Sequence, residues 1–224
     1  MRRPGDALIR CLDLCAVAAG LLLAWPLLAA GLVLSAAETR AFPLFSSRRE
    51  GRGGRRFTHV KIRTMPGDAP LAPSYLAGGG AGRACAFMRR THLDELPELV
   101  LVLTGSMSLV GPRPLVPSIR ASYESVPGPL RSTVRPGWTG PAQLELAVRG
   151  SISSERQFRL DEAWCASRSP AAWCSLLART LRLALRLSGR RAPVGSAPGE
   201  PPGAGRYRRF ASALFLGRGR SKSP

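Results

Sequence analysis

The longest apolar feature of the chain runs from Leu14 to Ala37 without one charged side chain. As a helix rising 1.5 Å per residue it would be about 36 Å long, enough to cross the hydrocarbon core of a bilayer. Basic residues flank it on both sides, with Arg2, Arg3 and Arg10 before it and Arg40, Arg48, Arg49, Arg52, Arg55 and Arg56 after it. Basic flanks tend to stay on the cytoplasmic side, and a spanning helix would have to send one of these sets across. Trp25-Pro26 lies mid-run; proline removes a backbone donor and crowds the preceding turn, so the helix is expected to break or kink there. A helix-break-helix that enters and leaves by the same face fits this pattern best. A spanning anchor is the second reading. The small residues Ser35, Ala36 and Ala37 behind a basic start make a cleaved signal peptide the third.

Beyond residue 40 the pattern is shorter in range. Residues 57–65 alternate and include β-branched side chains, which predicts a short strand. Residues 66–82 are rich in Gly, Pro and Ala and predict a loop, and Arg83–Arg90 and Leu96–Leu103 predict short helices. Prolines 112, 114, 117, 127, 129, 136 and 141 rule out a long helix between 111 and 141. In residues 171–188, Trp173, Leu176, Leu177, Leu181, Ala184 and Leu187 fall on one stripe beside Arg179, Arg182 and Arg186. That is a basic amphipathic helix, which either lies in a membrane interface or packs on the core of its own domain. After Gly189 the chain is dominated by Pro, Gly and Arg, which predicts a disordered tail with a short apolar cluster at Phe210, Leu214, Phe215 and Leu216. The expected fold class is mixed α/β: a re-entrant membrane segment over residues 1–40, a small compact α/β domain with interfacial amphipathic helices over 41–188, and a basic tail over 189–224.

Charge narrows the partner. The 224 residues include 33 Lys and Arg against 14 Asp and Glu, a formal charge of +19. Such a balance points to an anionic partner: nucleic acid, acidic lipid headgroups or a phosphorylated substrate. Aromatic residues are not interleaved with the basic ones as a single-strand stacking platform requires, so nucleic acid is not an expected partner. Five cysteines without a CxxC pair, and two histidines, leave little material for a zinc site. The thiols fit reduced packing residues on the cytosolic side.

Candidate chemistry concentrates between Arg89 and Pro114. Asp94 and Glu95 are adjacent acids, and Pro97 follows at a position suited to the first turn of a helix. Both carboxylates would then sit in the turn feeding a helix N-terminus, where unpaired N–H groups gather anions and metal-bound phosphates. The bland alternative is a capping box, Thr91-x-x-Asp94, although a helix starting at Thr91 would carry Pro97 in its interior. Lys61 and Arg63 on the predicted strand, Arg89 and Arg90 before the acids, and Arg113 between two prolines supply cations of the type a diphosphate needs.

These segments together resemble the bacterial sugar transferases, the small monotopic phosphoglycosyl transferases. The matching residues are Arg10-x-x-Asp13, Pro26, Gly51-x-x-Gly54-x-x-Phe57, Lys61-x-Arg63-Thr64-Met65, Asp68-Ala69, Arg89-x-Thr91-x-Leu93-Asp94-Glu95-Leu96-Pro97, Met107–Pro114, and Arg135-Pro-Gly-Trp-Thr-Gly140 with Ala142-Gln143. The resemblance covers about residues 8–185 and implies a two-step covalent transfer. Asp94 would attack the sugar-bearing phosphorus of a UDP-sugar and expel UMP. A polyprenyl phosphate such as undecaprenyl phosphate would then take the phosphosugar, starting polysaccharide or glycoconjugate synthesis. Glu95 would hold Mg²⁺, and Lys61, Arg63, Arg89, Arg113 and Arg135 would bind substrate. The resemblance also implies a monotopic protein among membrane lipids, on the cytoplasmic face of the inner membrane. Departures from the family pattern include Trp25, Ser47, Ile62, His92, Leu101 and Ser106, and they leave a weak or inactive scaffold of the same fold as one alternative; a basic peripheral membrane or nucleic-acid-binding protein is the other.

Overall fold

The computed structural model describes residues 3–66, 81–117 and 130–188. Most of the predicted 66–82 loop, including Asp68-Ala69, and the 189–224 tail with its Phe210–Leu216 cluster lie outside the described residues. The described part is mostly helical, with two small sheets.

The first helix, α1, runs from Asp6 to Thr39 as one element with Pro26 inside it. No break in the helix falls at Pro26, where a break or kink is expected. Proline removes one hydrogen bond, but the Leu- and Ala-rich turns on both sides are strong helix formers, and the helix continues through it. Both halves of α1 pack on the same body. Ile9 and Val17 join a core with Leu99, Val102, Met107, Leu109, Val110, Trp164 and Trp173. Leu28 and Leu32 pack against a second cluster of Ile62, Cys85 and Met88.

Polar contacts fix the two ends of α1. Asp13 is buried and accepts hydrogen bonds from the Leu109 backbone N–H at 2.9 Å and from Trp173 Nε1 at 3.0 Å. Arg10 donates to the carbonyls of Val102 at 2.6 Å and Leu103 at 3.1 Å. At the other end Ser35 Oγ donates to the Arg63 carbonyl at 2.6 Å. The Glu38 carboxylate accepts from the N–H groups of Ala84 at 2.9 Å and Cys85 at 2.8 Å, and so caps the next helix from outside it. Residue 82 must be glycine for this approach, because a Cβ there would meet the Glu38 carboxylate. Between the anchors one side of the helix, away from Val17, Leu28, Gly31 and Leu32, is bare. Leu22, Leu23, Trp25 and Leu27 are exposed, and only 11% of the most apolar window of α1 is buried. A core helix of a water-soluble domain would be largely covered.

Strand β1 (Leu44–Glu50) pairs antiparallel with β2 (Arg56–Ile62), in the register Leu44 to Ile62 and Glu50 to Arg56. A 3₁₀ turn at Arg52–Gly54 closes the hairpin. The direct cross-strand pairs Phe45–Lys61, Ser47–His59 and Arg49–Phe57 share one face. Helix α2 spans Arg83–Thr91, α3 spans Glu98–Leu103, and β3 (Ser108–Val110) pairs parallel with β4 (Gly137–Thr139). Gly111 and Gly137 cross at backbone contact, and a Cβ on Gly137 would meet the Gly111 backbone. This explains the glycines of the Val110-Gly-Pro-Arg-Pro114 and Arg135-Pro-Gly motifs as a packing requirement of one crossing.

The remaining helices are α4 (Leu130–Thr133), α5 (Pro141–Arg149), α6 (Ser154–Ser167) and α7 (Pro170–Ser188). The amphipathic stripe of α7 is divided: Trp173 and Leu176 are buried in the core, whereas Leu181 is exposed. Part of the stripe therefore belongs to the core of the domain.

Asp13→Ala would leave the Leu109 N–H and the Trp173 Nε1–H unsatisfied in a buried site. The expected loss is about 3 kcal/mol of unfolding free energy, given roughly 1–3 kcal/mol for each orphaned buried group. Asp13→Asn keeps an acceptor oxygen and should lose about 1 kcal/mol. Chemical denaturation of the detergent-solubilised protein checks both values.

Candidate active site

Helix α2 ends at Thr91, and His92 adopts a left-handed conformation (φ 57°) that turns the chain sharply. Leu93–Glu95 then form a 3₁₀ turn, Pro97 stands at the N-cap of α3, and Glu98 is its first residue. Asp94 and Glu95 thus lie in the turn feeding a helix, as the position of Pro97 predicts. Thr91 does not act as a cap. Its Oγ1 donates back to the carbonyls of Phe87 at 2.9 Å and Met88 at 3.3 Å.

The two acids have unlike surroundings. Glu95 takes two contacts, one per oxygen: Arg113 at 3.4 Å from Oε1 and His92 Nδ1 at 3.7 Å from Oε2. Burial works to raise its pKa, but the charges of Arg113, His92 and Lys61 outweigh burial and hold it well below the usual carboxylate range. Among the described residues, Asp94 is in no ion pair within 4 Å. It is 5% exposed, and burial, with the negative charge of Glu95 behind it, pushes its pKa up to about 6 against the pull of Lys61 and His92. Contact with Glu95 in turn raises His92. Two neighbouring carboxyls are driven apart in this way when one is assigned to hold charge and the other to react.

The surrounding fold restrains Arg113. Pro112 and Pro114 stiffen its backbone, and the Pro112 carbonyl accepts from the Gly137 N–H at 2.8 Å. The Arg113 carbonyl accepts from Arg131, whose guanidinium lies 3.2 Å from the buried Asp161 of α6. On the far side, the Glu50 N–H donates to the Leu115 carbonyl at 3.0 Å, tying the segment to the hairpin.

Of the cations singled out from sequence, Lys61 and Arg113 act on the Asp94–Glu95 turn. The other three also have protein partners. Arg63 donates to the carbonyls of Phe42 at 2.8 Å and Leu44 at 3.4 Å. Arg89 donates to Met65 Sδ at 2.9 Å. Arg135 Nε donates to the Gly105 carbonyl at 2.8 Å, and Arg135 shares a small cavity with Arg10, Asp13 and Arg168. Two contributors escape the sequence reading. Arg49 lies within the field of Arg113 and Glu98, and burial together with Arg113 lowers its pKa. His59 Nε2 lies 2.9 Å from Glu98 Oε1. The strand register is the signal that would have found both: Arg49 and His59 belong to the face that carries Lys61, and adjacent Arg48 does not.

Among the described residues, no group of three or more His, Cys, Asp or Glu is placed to hold a metal ion. Mg²⁺ at a phosphoryl-transfer site usually takes one or two carboxylates and completes its shell with water and substrate oxygens. The charged, partly accessible Glu95 beside Asp94 fits that donor set.

The chain matches the bacterial sugar transferase family over residues 5–186. It belongs to that family. Relatives of this sugar transferase include a putative undecaprenyl-phosphate N-acetylgalactosaminyl 1-phosphate transferase of Bacillus subtilis (strain 168). That protein is 36% identical over 126 residues, covering 54% of this chain and 70% of the relative. A UDP-glucose:undecaprenyl-phosphate glucose-1-phosphate transferase of Caulobacter vibrioides is 36% identical over 156 residues, 67% of this chain and 58% of the relative. A protein of the same name from Xanthomonas campestris is 35% identical over 141 residues, 60% of this chain but 29% of the relative. This sugar transferase chain thus spans from under a third to 70% of the length of these relatives.

Asp161→Ala would leave the nearly buried Arg131 charge without its partner and free the segment that carries Arg113. The expected loss of stability is about 3–5 kcal/mol, the usual cost of breaking a buried pair from one side. Equilibrium unfolding in detergent checks it.

Proposed function

We propose that the chain is a membrane-associated phosphoglycosyl transferase that moves a sugar 1-phosphate from a UDP-sugar to a polyprenyl phosphate. The observation that carries this reading is the asymmetry of two adjacent carboxylates: Glu95 faces Arg113 and His92, while the Asp94 carboxylate is in no ion pair within 4 Å among the described residues. Family membership and the activities for which the Caulobacter and Xanthomonas relatives are named point to the same substrates.

In the first step an Asp94 oxygen bonds to the sugar-bearing phosphorus, the bond from that phosphorus to the bridging oxygen breaks, and UMP leaves with the electron pair. In the second step a phosphate oxygen of the lipid attacks the same phosphorus. Asp94 departs as carboxylate and the lipid carries a diphosphate-linked sugar. Lys61 and Arg113 act on this turn and offset the negative charge that collects there. Glu95, with Asp94 beside it, would hold Mg²⁺, which when bound neutralises charge on the donor diphosphate.

The geometry of α1 supports a protein held on one face of the membrane. Both ends of the helix are tied to one domain, and the apolar stretch between them faces outward. Such a segment can enter a leaflet while the domain stays on its own side. The basic residues around it fit the cytoplasmic face of the inner membrane, beside acidic lipid headgroups.

Incubation of the detergent-solubilised protein with undecaprenyl phosphate, Mg²⁺ and UDP-glucose, UDP-galactose or UDP-N-acetylgalactosamine should release UMP with at least one donor. Asp94→Asn should lower that release by at least about a thousandfold, as loss of a covalent nucleophile does. Donor alone should add the mass of the phosphosugar to the wild-type chain and not to the variant. Undiminished UMP release by Asp94→Asn contradicts the mechanism.

A further inference from the structure

His59 and Glu98 form a buried polar pair that the covalent chemistry of Asp94 does not use. His59 is on β2, two residues before Lys61, and so shares the strand face that carries Lys61. Glu98 opens α3, three residues after Glu95. His59 Nε2 stands 2.9 Å from Glu98 Oε1, with side chains 7% and 5% exposed. Among the described residues, His59 Nδ1 and Glu98 Oε1, both buried, have no hydrogen-bond partner, so the pair meets by close polar contact. A pair of this type is a poor way to gain stability, since apolar side chains of similar volume usually serve as well or better. What it provides is a fixed point of contact: the 2.9 Å approach of Nε2 to Oε1 sets the distance between two segments that apolar packing would let slide.

The pair joins the two pieces that carry the reacting groups. On one side is the strand that places the Lys61 ammonium. On the other is the helix whose preceding turn places Asp94 and Glu95. Lys61 acts on both carboxylates through its charge, so its separation from the turn sets the field in which a phosphate is received.

We propose that His59 and Glu98 are positioning residues that fix the spacing between the Lys61 strand and the Asp94–Glu95 turn. This rests on the transferase reading above. Neither residue touches the reacting atoms. An error in that spacing is felt in the chemical step, where a misplacement of about 1 Å costs on the order of a hundredfold, more than in the binding of the donor.

The double variant His59→Leu/Glu98→Leu separates positioning from packing. It replaces the pair by apolar volume and should unfold within a few degrees of wild type. With undecaprenyl phosphate, Mg²⁺ and whichever of the three UDP-sugars the wild type uses fastest, kcat should fall at least tenfold while the donor KM stays within threefold. A stable double variant with kcat within threefold of wild type overturns the proposal, as does a rise in KM that accounts for the whole loss. If the double variant does not fold, His59→Gln and His59→Asn decide. The longer amide can still reach Glu98 and should keep kcat within threefold, while the shorter one should lose at least tenfold. Equal kcat in these two also overturns it. Failure of the transferase reading looks different, because the wild type itself would then release no UMP.

Discussion

Everything in this molecule is arranged around a long apolar helix that is fastened at both ends to one domain. Asp13 holds its first turns through Leu109 and Trp173, and Ser35 and Glu38 hold its last turns through Arg63 and the start of α2. The outer side of the turns between is left bare at Leu22, Leu23, Trp25 and Leu27, and an exposed apolar surface of that extent requires a non-aqueous partner. A helix fixed in this way is also part of the scaffold of the site. Asp13 reaches the β3 strand that leads to Arg113, and Glu38 caps the helix that ends at His92, immediately before Asp94.

The site gains its chemical character from unequal treatment of two neighbouring side chains. Arg113, stiffened by two prolines and clamped through Arg131 and Leu115, faces Glu95 and keeps it charged. Asp94, one residue earlier, points into a more buried environment. A 3₁₀ turn makes this possible, because consecutive residues in it project in different directions. The glycine crossing at Gly111 and Gly137 brings the Arg113 segment beside the turn, so sequence motifs far apart in the chain serve one small constellation.

Much of this was legible in the order of the residues. The apolar run, the short helices at 83 and 98, the strand before Arg63 and the adjacent acids ahead of Pro97 each follow from local pattern. What was not legible is tertiary. Pro26 lies within a continuous helix because its flanking turns sustain helical structure, a balance that a residue-by-residue rule does not settle. The parallel pairing of β3 with β4 is too short to show a period, and its glycines stand in the sequence only as motif members. Arg49 and Arg48 cannot be told apart until the hairpin register assigns them to opposite faces. Arg63, Arg89 and Arg135 also have protein partners, which only the fold reveals.

The two fastened ends of α1 lead to a direct test of topology. Cys11 lies before the apolar run, and a cysteine introduced by Arg48→Cys lies after it, both at exposed positions. With Cys15 and Cys174 replaced by serine, each site can be labelled singly with a membrane-impermeant thiol reagent, using Cys11→Ser for the second. Both positions should label in inverted inner-membrane vesicles and neither in intact spheroplasts. Labelling of one position in spheroplasts and the other in inverted vesicles would mean that the helix crosses the bilayer, and would contradict the account.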